Sequence, residues 1–298
     1  MENKHVKEEV LTGAMVVSML LWGLSWPSGK VLTHWCSPVN MAVYRYVIVL
    51  ATLLPTLLLM KVSLRVKAAG IPAIIASGAL LAVYSCSMFM GLRKGSAGAG
   101  GVLVTTLNPI MAYTLGIVLS RKLPSRNAAI GLALGTVAGA VLLQLWSNWS
   151  TIFDSGNLYF LFSAMMWAVM SKITAKGGNY GSSLGFSLWQ YLVTLLCLLP
   201  VMNMQELTAT LTVKSGVFWG NLFFSSAIVT SLATTVYFYT TTRLGAEKAS
   251  SFIFMVPLAA ALSAWALLGE RLLIHTAIGG VLGIAAVYMI NRRKEAAR

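Results

Sequence analysis

The sequence predicts an all-α integral membrane protein of ten transmembrane helices, arranged as two inverted five-helix repeats with both termini cytoplasmic. Three observations predict it. The 298-residue chain is 57% hydrophobic and only 10% charged, against about 25% charged in a soluble domain, so it cannot solvate an ordinary globular surface. Its apolar residues gather into ten runs, each near the ~20 residues that a helix needs to cross a bilayer. The Lys and Arg residues lie in the short gaps between runs and favour one side.

In chain order the runs are Thr12–Thr33, Pro38–Met60, Ala68–Leu92, Ser96–Ser120, Ser125–Leu145, Ser155–Ile173, Ser182–Met202, Ser215–Thr242, Gly245–Gly269 and Leu272–Ile290. The longest non-apolar break is Trp146–Asp154, which divides the chain into a first repeat at 1–145, an outer-face linker at 146–154 and a second repeat at 155–298. With the N-terminus cytoplasmic, sixteen Lys and Arg fall on the cytoplasmic side and five (Lys30, Arg93, Lys94, Lys214 and Arg271) on the other, while Arg45 lies inside a span. That bias sets the orientation. The acidic residues of Met1–Val10, and the lack of a small-residue cleavage site after the first run, argue against a cleaved signal peptide.

Five spans in each half make the halves enter the membrane from opposite sides. Inverted repeats of this kind typify secondary transporters, whose substrate binds near the midplane between the repeats. Internal matches support the duplication. An offset of 148 lays Pro257 on Pro109, Gly279 on Gly131 and Gly283 on Gly135; an offset of 145 lays Trp167 on Trp22 and Trp189-Gln190-Tyr191 on Tyr44-Arg45-Tyr46. An offset of 149 lays Phe238 on Phe89 and Arg243 on Lys94.

Four stretches carry a resemblance to a known family. They are Leu21-Trp22-Gly23 leading to Lys30, Ser37-Pro38 followed by Arg45, Leu244-Gly245-Ala246 through Pro257, and Leu268-Gly269-Glu270-Arg271 followed by Gly279. With these the chain resembles the drug/metabolite transporter superfamily, and within it the ten-span exporters built from two EamA-type repeats. The first half departs at Ser120-Arg121-Lys122, where Leu-Gly-Glu is usual. The resemblance implies a multi-pass carrier of the cell inner membrane that moves small metabolites, often outward, without naming the substrate.

Several residues inside the spans point to a binding cavity. Pro109 and Pro257 lie mid-span, and each frees the carbonyl four residues back, at Thr105 and Ile253. Unpaired backbone at that depth is tolerated only against protein or a wet cavity. Thr105 and Asn108 either line such a cavity or bond to neighbouring helices; recurrence of the proline in both halves favours the cavity and makes the two spans candidate moving parts. Arg45 stands about 10 Å into its span at 1.5 Å per residue. It either meets a substrate carboxylate or snorkels to headgroups, and its repeat-mate Gln190 is neutral. Lys30, near its span's end, reads as a snorkelling residue. Trp22, Trp26, Tyr84, Tyr113, Trp167, Tyr237 and Phe254 are too deep to be interfacial anchors. Singly each reads as helix packing; as a set with Arg45, Asn108 and Gln190 they describe a pocket for an amphipathic molecule. The glycines at 131, 135, 139, 279 and 283 allow close helix approach within a monomer or at a homodimer contact.

Other chemistries are excluded by missing groups. Cys36, Cys86 and Cys197 are scattered, as are His5, His34 and His275, so no metal or cofactor is expected. Gly23 to Gly29-Lys30 has the wrong spacing for a phosphate loop, with Val31 where Ser or Thr belongs. Asp154 is the one aspartate, so catalytic residues for an enzyme are lacking. The +14 net charge is spread over loops, which argues against nucleic acid. None of the eight acidic residues lies mid-span, which favours facilitated diffusion, exchange or proton coupling through the substrate itself over a carboxylate proton relay. The sequence therefore predicts a secondary transporter of small metabolites, first of all amino acids or their derivatives. Aromatic or cationic drugs and nucleobases are the alternative cargoes.

Overall fold

The structure, a computed structural model, describes residues 8–95, 97–121, 123–147, 155–268 and 274–291. Those residues form helices and no strand; one isolated bridge pairs Val66 with Gly181. The helices are α1 (Glu8–Leu32), α2 (Pro38–Leu59), α3 (Ile71–Lys94), α4 (Ala97–Ser120), α5 (Arg126–Leu143), α6 (Ser155–Thr174), α7 (Ser183–Leu198), α8 (Met204–Leu211), α9 (Gly216–Phe223), α10 (Thr235–Leu244), α11 (Ala246–Ser251), α12 (Val256–Leu268) and α13 (Ile274–Asn291). Among the described residues seven helical stretches are long and apolar enough to cross a membrane, and Arg126–Val141 and Ile278–Ile290 are shorter apolar helices.

Serines start many of these helices. Ser37, Ser125, Ser182 and Ser215 each accept a hydrogen bond from the backbone N–H three residues on, ahead of α2, α5, α7 and α9. That satisfies donors a helix start otherwise strands, which matters most where water is scarce. In α2 the next residue is Pro38, whose missing N–H costs nothing at the first turn. α3 packs along α6 and α7, α5 along α13, and α1 along α12 and the stretch from α9 to α10. The α1–α12 approach is close: a Cβ on Gly23 would lie 2.5 Å from the Ala259 Cβ and 2.7 Å from the Ala260 nitrogen.

Three local features depart from the sequence expectation. The gap between the seventh and eighth runs holds the short helix α8, started by Asn203, whose side chain accepts the Glu206 N–H. The eighth run, expected to be one plain helix, contains a π-helical stretch, Phe224–Thr234, between α9 and α10. The ninth run is not one helix: α11 ends at Ser251, Phe252–Met255 forms a 3₁₀ turn, and α12 begins at Val256. Lys30 also corrects the expectation that it snorkels. Its ammonium donates to the Leu92 carbonyl at 2.5 Å and the Gly95 carbonyl at 2.8 Å, satisfying the C-terminal end of α3. The Glu270-Arg271 corner, Lys122 and linker residues 148–154 lie outside the described residues.

Candidate functional site

A cavity of about 700 Å³ including its mouth lies among α1, α2, α3, α4, α6, the π-helical stretch and the 3₁₀ turn. Helical spacing places its walls. Trp22, Ser25 and Trp26 share one face of α1; Leu81, Tyr84, Met88 and Leu92 share one face of α3; Val104, Thr105 and Asn108 do so on α4. The second half contributes Trp167 from α6, Val229, Thr230 and Thr234 from the π stretch, and Ile253 from the 3₁₀ turn. There the hydroxyls of Thr230 and Thr234 bond the carbonyls of Ser225 and Val229, five residues back, at 2.8 and 3.1 Å. The π register thereby sets which side chains reach the cavity, as π segments often do at functional sites.

Arg45 and Tyr46 complete the lining from α2. Arg45 is 8% exposed, and its guanidinium carbon lies 4.5 Å from the Phe89 ring centre. It stays inside the bundle instead of snorkelling. Its Nε has no hydrogen-bond partner in the protein, and among the described residues no carboxylate forms an ion pair with it. The Trp22 Nε1 and the Asn108 Oδ1 are likewise buried without a partner. The Trp167 Nε1 is a third such donor on the lining, so three donors and one acceptor without partners border the cavity, where buried polar groups are normally satisfied.

Seven of the sequence-predicted cavity residues meet here: Trp22, Trp26, Arg45, Tyr84, Thr105, Asn108 and Trp167. Four do not line it. Tyr237 is fully buried behind the wall, its ring 5.1 Å from Trp22 and 5.5 Å from Trp167, and its hydroxyl 3.2 Å from the Ser171 hydroxyl. Gln190 accepts from the Thr174 hydroxyl at 3.1 Å in the contact between α6 and α7. Phe254 is wedged between α5 and α13, against Gly135 and Gly283. Tyr113 sits one turn along α4 from Gly116, where the Lys172–Glu247 ion pair passes. Depth in a span was legible for these four; the helix face was not. Ser25, Thr230 and Thr234 were missed because small hydroxyl residues are ordinary in packed membrane helices, and Tyr46 was missed beside Arg45.

Polar contacts close each end of the bundle. At one, Lys172 of α6 pairs with Glu247 of α11 across Gly116 of α4. At the other, Glu206 of α8 accepts from the Ser37 N–H at 2.7 Å, the Ser37 hydroxyl at 2.5 Å and the Asn40 amide at 2.8 Å. Beside this cluster the Cys36 thiol, in the loop before α2, is pushed up to about 12 by burial and by the Glu206 charge. Among the described residues no three His, Cys, Asp or Glu converge on a metal site.

Comparison with known proteins accords with this geometry. A profile of the EamA-like transporter family matches residues 12–144 and again residues 154–292. An uncharacterized transporter of Archaeoglobus fulgidus is 23% identical over 94% of this chain and 97% of its own length. The uncharacterized transporter YdfC of Bacillus subtilis is 25% identical over 90% of this chain and 86% of its own. A chloroplastic WAT1-related protein of Arabidopsis thaliana is 26% identical over 72% of this chain, which spans only 54% of that relative's length. A crystal structure with 16% sequence identity covers 96% of the chain at a TM-score of 0.70, a likeness of fold alone.

Proposed function

The chain belongs to the EamA-like transporter family, and we propose that it is a secondary carrier, an exporter or facilitator of small carboxylate-bearing metabolites, amino acids or their derivatives first among them. The observation that carries this reading is Arg45: a buried guanidinium lining the cavity, with no carboxylate partner among the described residues. Leaving a charge buried and unpaired is costly, and a substrate carboxylate would relieve that cost. The aromatic wall of Trp22, Tyr84 and Trp167 then faces the apolar body, and the Asn108 oxygen receives an N–H.

We further propose ten spans in two inverted repeats, domains 1–145 and 155–298, in a multi-pass arrangement in the cell inner membrane. The double profile match supports this, and so do contacts between repeat-mates. Residues related by the offset of 145 touch each other: Trp22 and Trp167 edge to face at 5.1 Å, and Tyr46 and Tyr191 at 6.0 Å. Mates meet in this way near a two-fold axis. Transport would be by rocking of the halves around the cavity, uncoupled from protons, since Glu206 and Glu247 lie at the ends of the bundle.

Counterflow in liposomes loaded with amino acids, nucleobases and cationic dyes tests the reading. Uptake of a labelled amino acid that ignores an imposed proton gradient is the expected result; uptake of dyes alone would overturn it. A nucleobase is the second reading, because Trp22, Trp26 and Trp167 offer stacking faces and Asn108 an acceptor for a ring N–H.

A further inference from the structure

On the face of α3 opposite the cavity, a second hollow of about 820 Å³, open on its outer side, lies among α3, α6 and α7. Its lining combines small side chains, Ala79, Ala82 and Ser87, with bulkier ones such as Met90 and Phe162. The rim is exposed where Val83, Phe162 and Val201 stand 43%, 41% and 64% accessible, so in a bilayer the groove opens to lipid. From Ala79 to Met90 the groove follows eleven residues of helix, about 16 Å at 1.5 Å per residue. That is roughly half of a ~30 Å hydrocarbon core, the depth of one leaflet.

The groove ends under a cation. Lys94, exposed in the last turn of α3, holds its ammonium 5.1 Å from the centre of the Tyr159 ring, and Tyr159 is itself part of the groove wall. Arg93 is exposed beside it. Among the described residues no carboxylate forms an ion pair with either cation. An apolar slot one leaflet deep, capped by the exposed cations Arg93 and Lys94 at the level where headgroups begin, matches one kind of molecule.

We propose that this groove is a phospholipid site: one acyl chain lies between α3, α6 and α7, and an anionic headgroup sits at Lys94. Because α3 presents the groove on one face and Tyr84 and Met88 to the cavity on the other, the bound lipid braces a wall of the cavity. It does not depend on which substrate the cavity takes.

Native mass spectrometry of the purified carrier, titrated with phosphatidylglycerol and phosphatidylcholine, tests the site. Tighter retention of phosphatidylglycerol is expected, weakened more than about fivefold by Lys94→Glu, which removes one basic residue worth roughly that much near an anionic headgroup and adds a repelling charge. Ala79→Trp, which fills the slot, abolishes retention of both lipids. A second measurement needs no bulky variant. Bimane on Cys197 in a Cys86→Ser background, both positions lining the groove, is quenched by brominated phosphatidylglycerol at lower mole fraction than by brominated phosphatidylcholine. Equal quenching by the two lipids, unchanged retention in Lys94→Glu, or Cys197-to-Cys197 cross-linking between two copies would overturn the proposal, the last by making the groove a protein contact.

Discussion

Helix α4 and the stretch from Ala246 to Leu268 each carry a proline at corresponding places, Pro109 and Pro257, and accommodate it differently. α4 runs as one helix through Pro109. The later stretch stops at Ser251, makes a 3₁₀ turn over Phe252–Met255, and restarts so that Pro257 is the second residue of α12. At that position a missing N–H is not needed. The Ile253 carbonyl, which Pro257 cannot satisfy, accepts the Val256 N–H instead. The break is held from outside as well, since the Phe254 ring and carbonyl lie against Gly135 and Gly283. A repeated proline thus lies inside a continuous helix in one half and at a break in the other. The break, with the π-helical stretch before α10, puts the irregular backbone of the cavity in the second half.

The largest expected effect separates the two prolines. Pro109→Ala restores an N–H inside a continuous helix and should raise stability by up to about 3 kcal/mol, the usual interior cost of proline. Pro257→Ala should change it by less than about 1 kcal/mol, since first-turn proline is tolerated. Equal shifts in unfolding in mixed micelles would break the comparison. Next in size, Gly283→Ala places a Cβ 2.5 Å from the Phe254 carbonyl oxygen, a backbone atom that cannot swing aside. A loss of about 1–3 kcal/mol is expected, as for overpacking in general, and a neutral outcome would show the break to be loosely held.

The Lys172–Glu247 pair ties α11, the short helix before the break, to α6. Its side chains are 19% and 32% exposed, so Glu247→Gln should cost between the ~1 kcal/mol of a surface pair and the ~3 kcal/mol of a buried one. The charge-swapped double variant should recover most of that loss in a thermal melt. The smallest effect is expected at Gly116→Ala. The nearest atoms to its new Cβ are the far ends of Glu247 and Lys172, which can move, so a loss smaller than that of Glu247→Gln is the expected reading in the same melt.

Much of this architecture was legible in the chain. Apolar run length located most of the helices, and the runs that open at Ser125, Ser182 and Ser215 begin on residues that the structure shows as caps. Depth placed Trp22, Trp26, Arg45, Tyr84, Thr105, Asn108 and Trp167, which all reach the cavity. The failures have a common cause. A span that is apolar all round has no strong amphipathic period, so nothing in the sequence told the cavity face of Trp22 from the packed positions of Tyr237 and Phe254. The π register of 224–234 is set by tertiary contacts such as the Tyr191 hydroxyl on the Thr230 carbonyl at 3.3 Å, and periodicity cannot announce it. Helix α8 did have a signal, Asn203 followed by Glu206 at the third position, a capping pattern. It is too short to register as a span.

The most direct test of the account compares counterflow of an amino acid with that of its neutral amide in wild type and in Arg45→Gln. A carboxylate held by a buried guanidinium is worth ~1.5–3 kcal/mol, or roughly 10- to 100-fold in apparent affinity. The account predicts that loss for the acid in Arg45→Gln, with the amide weak and nearly equal in both proteins. Equal affinity for the acid in the two proteins would contradict it.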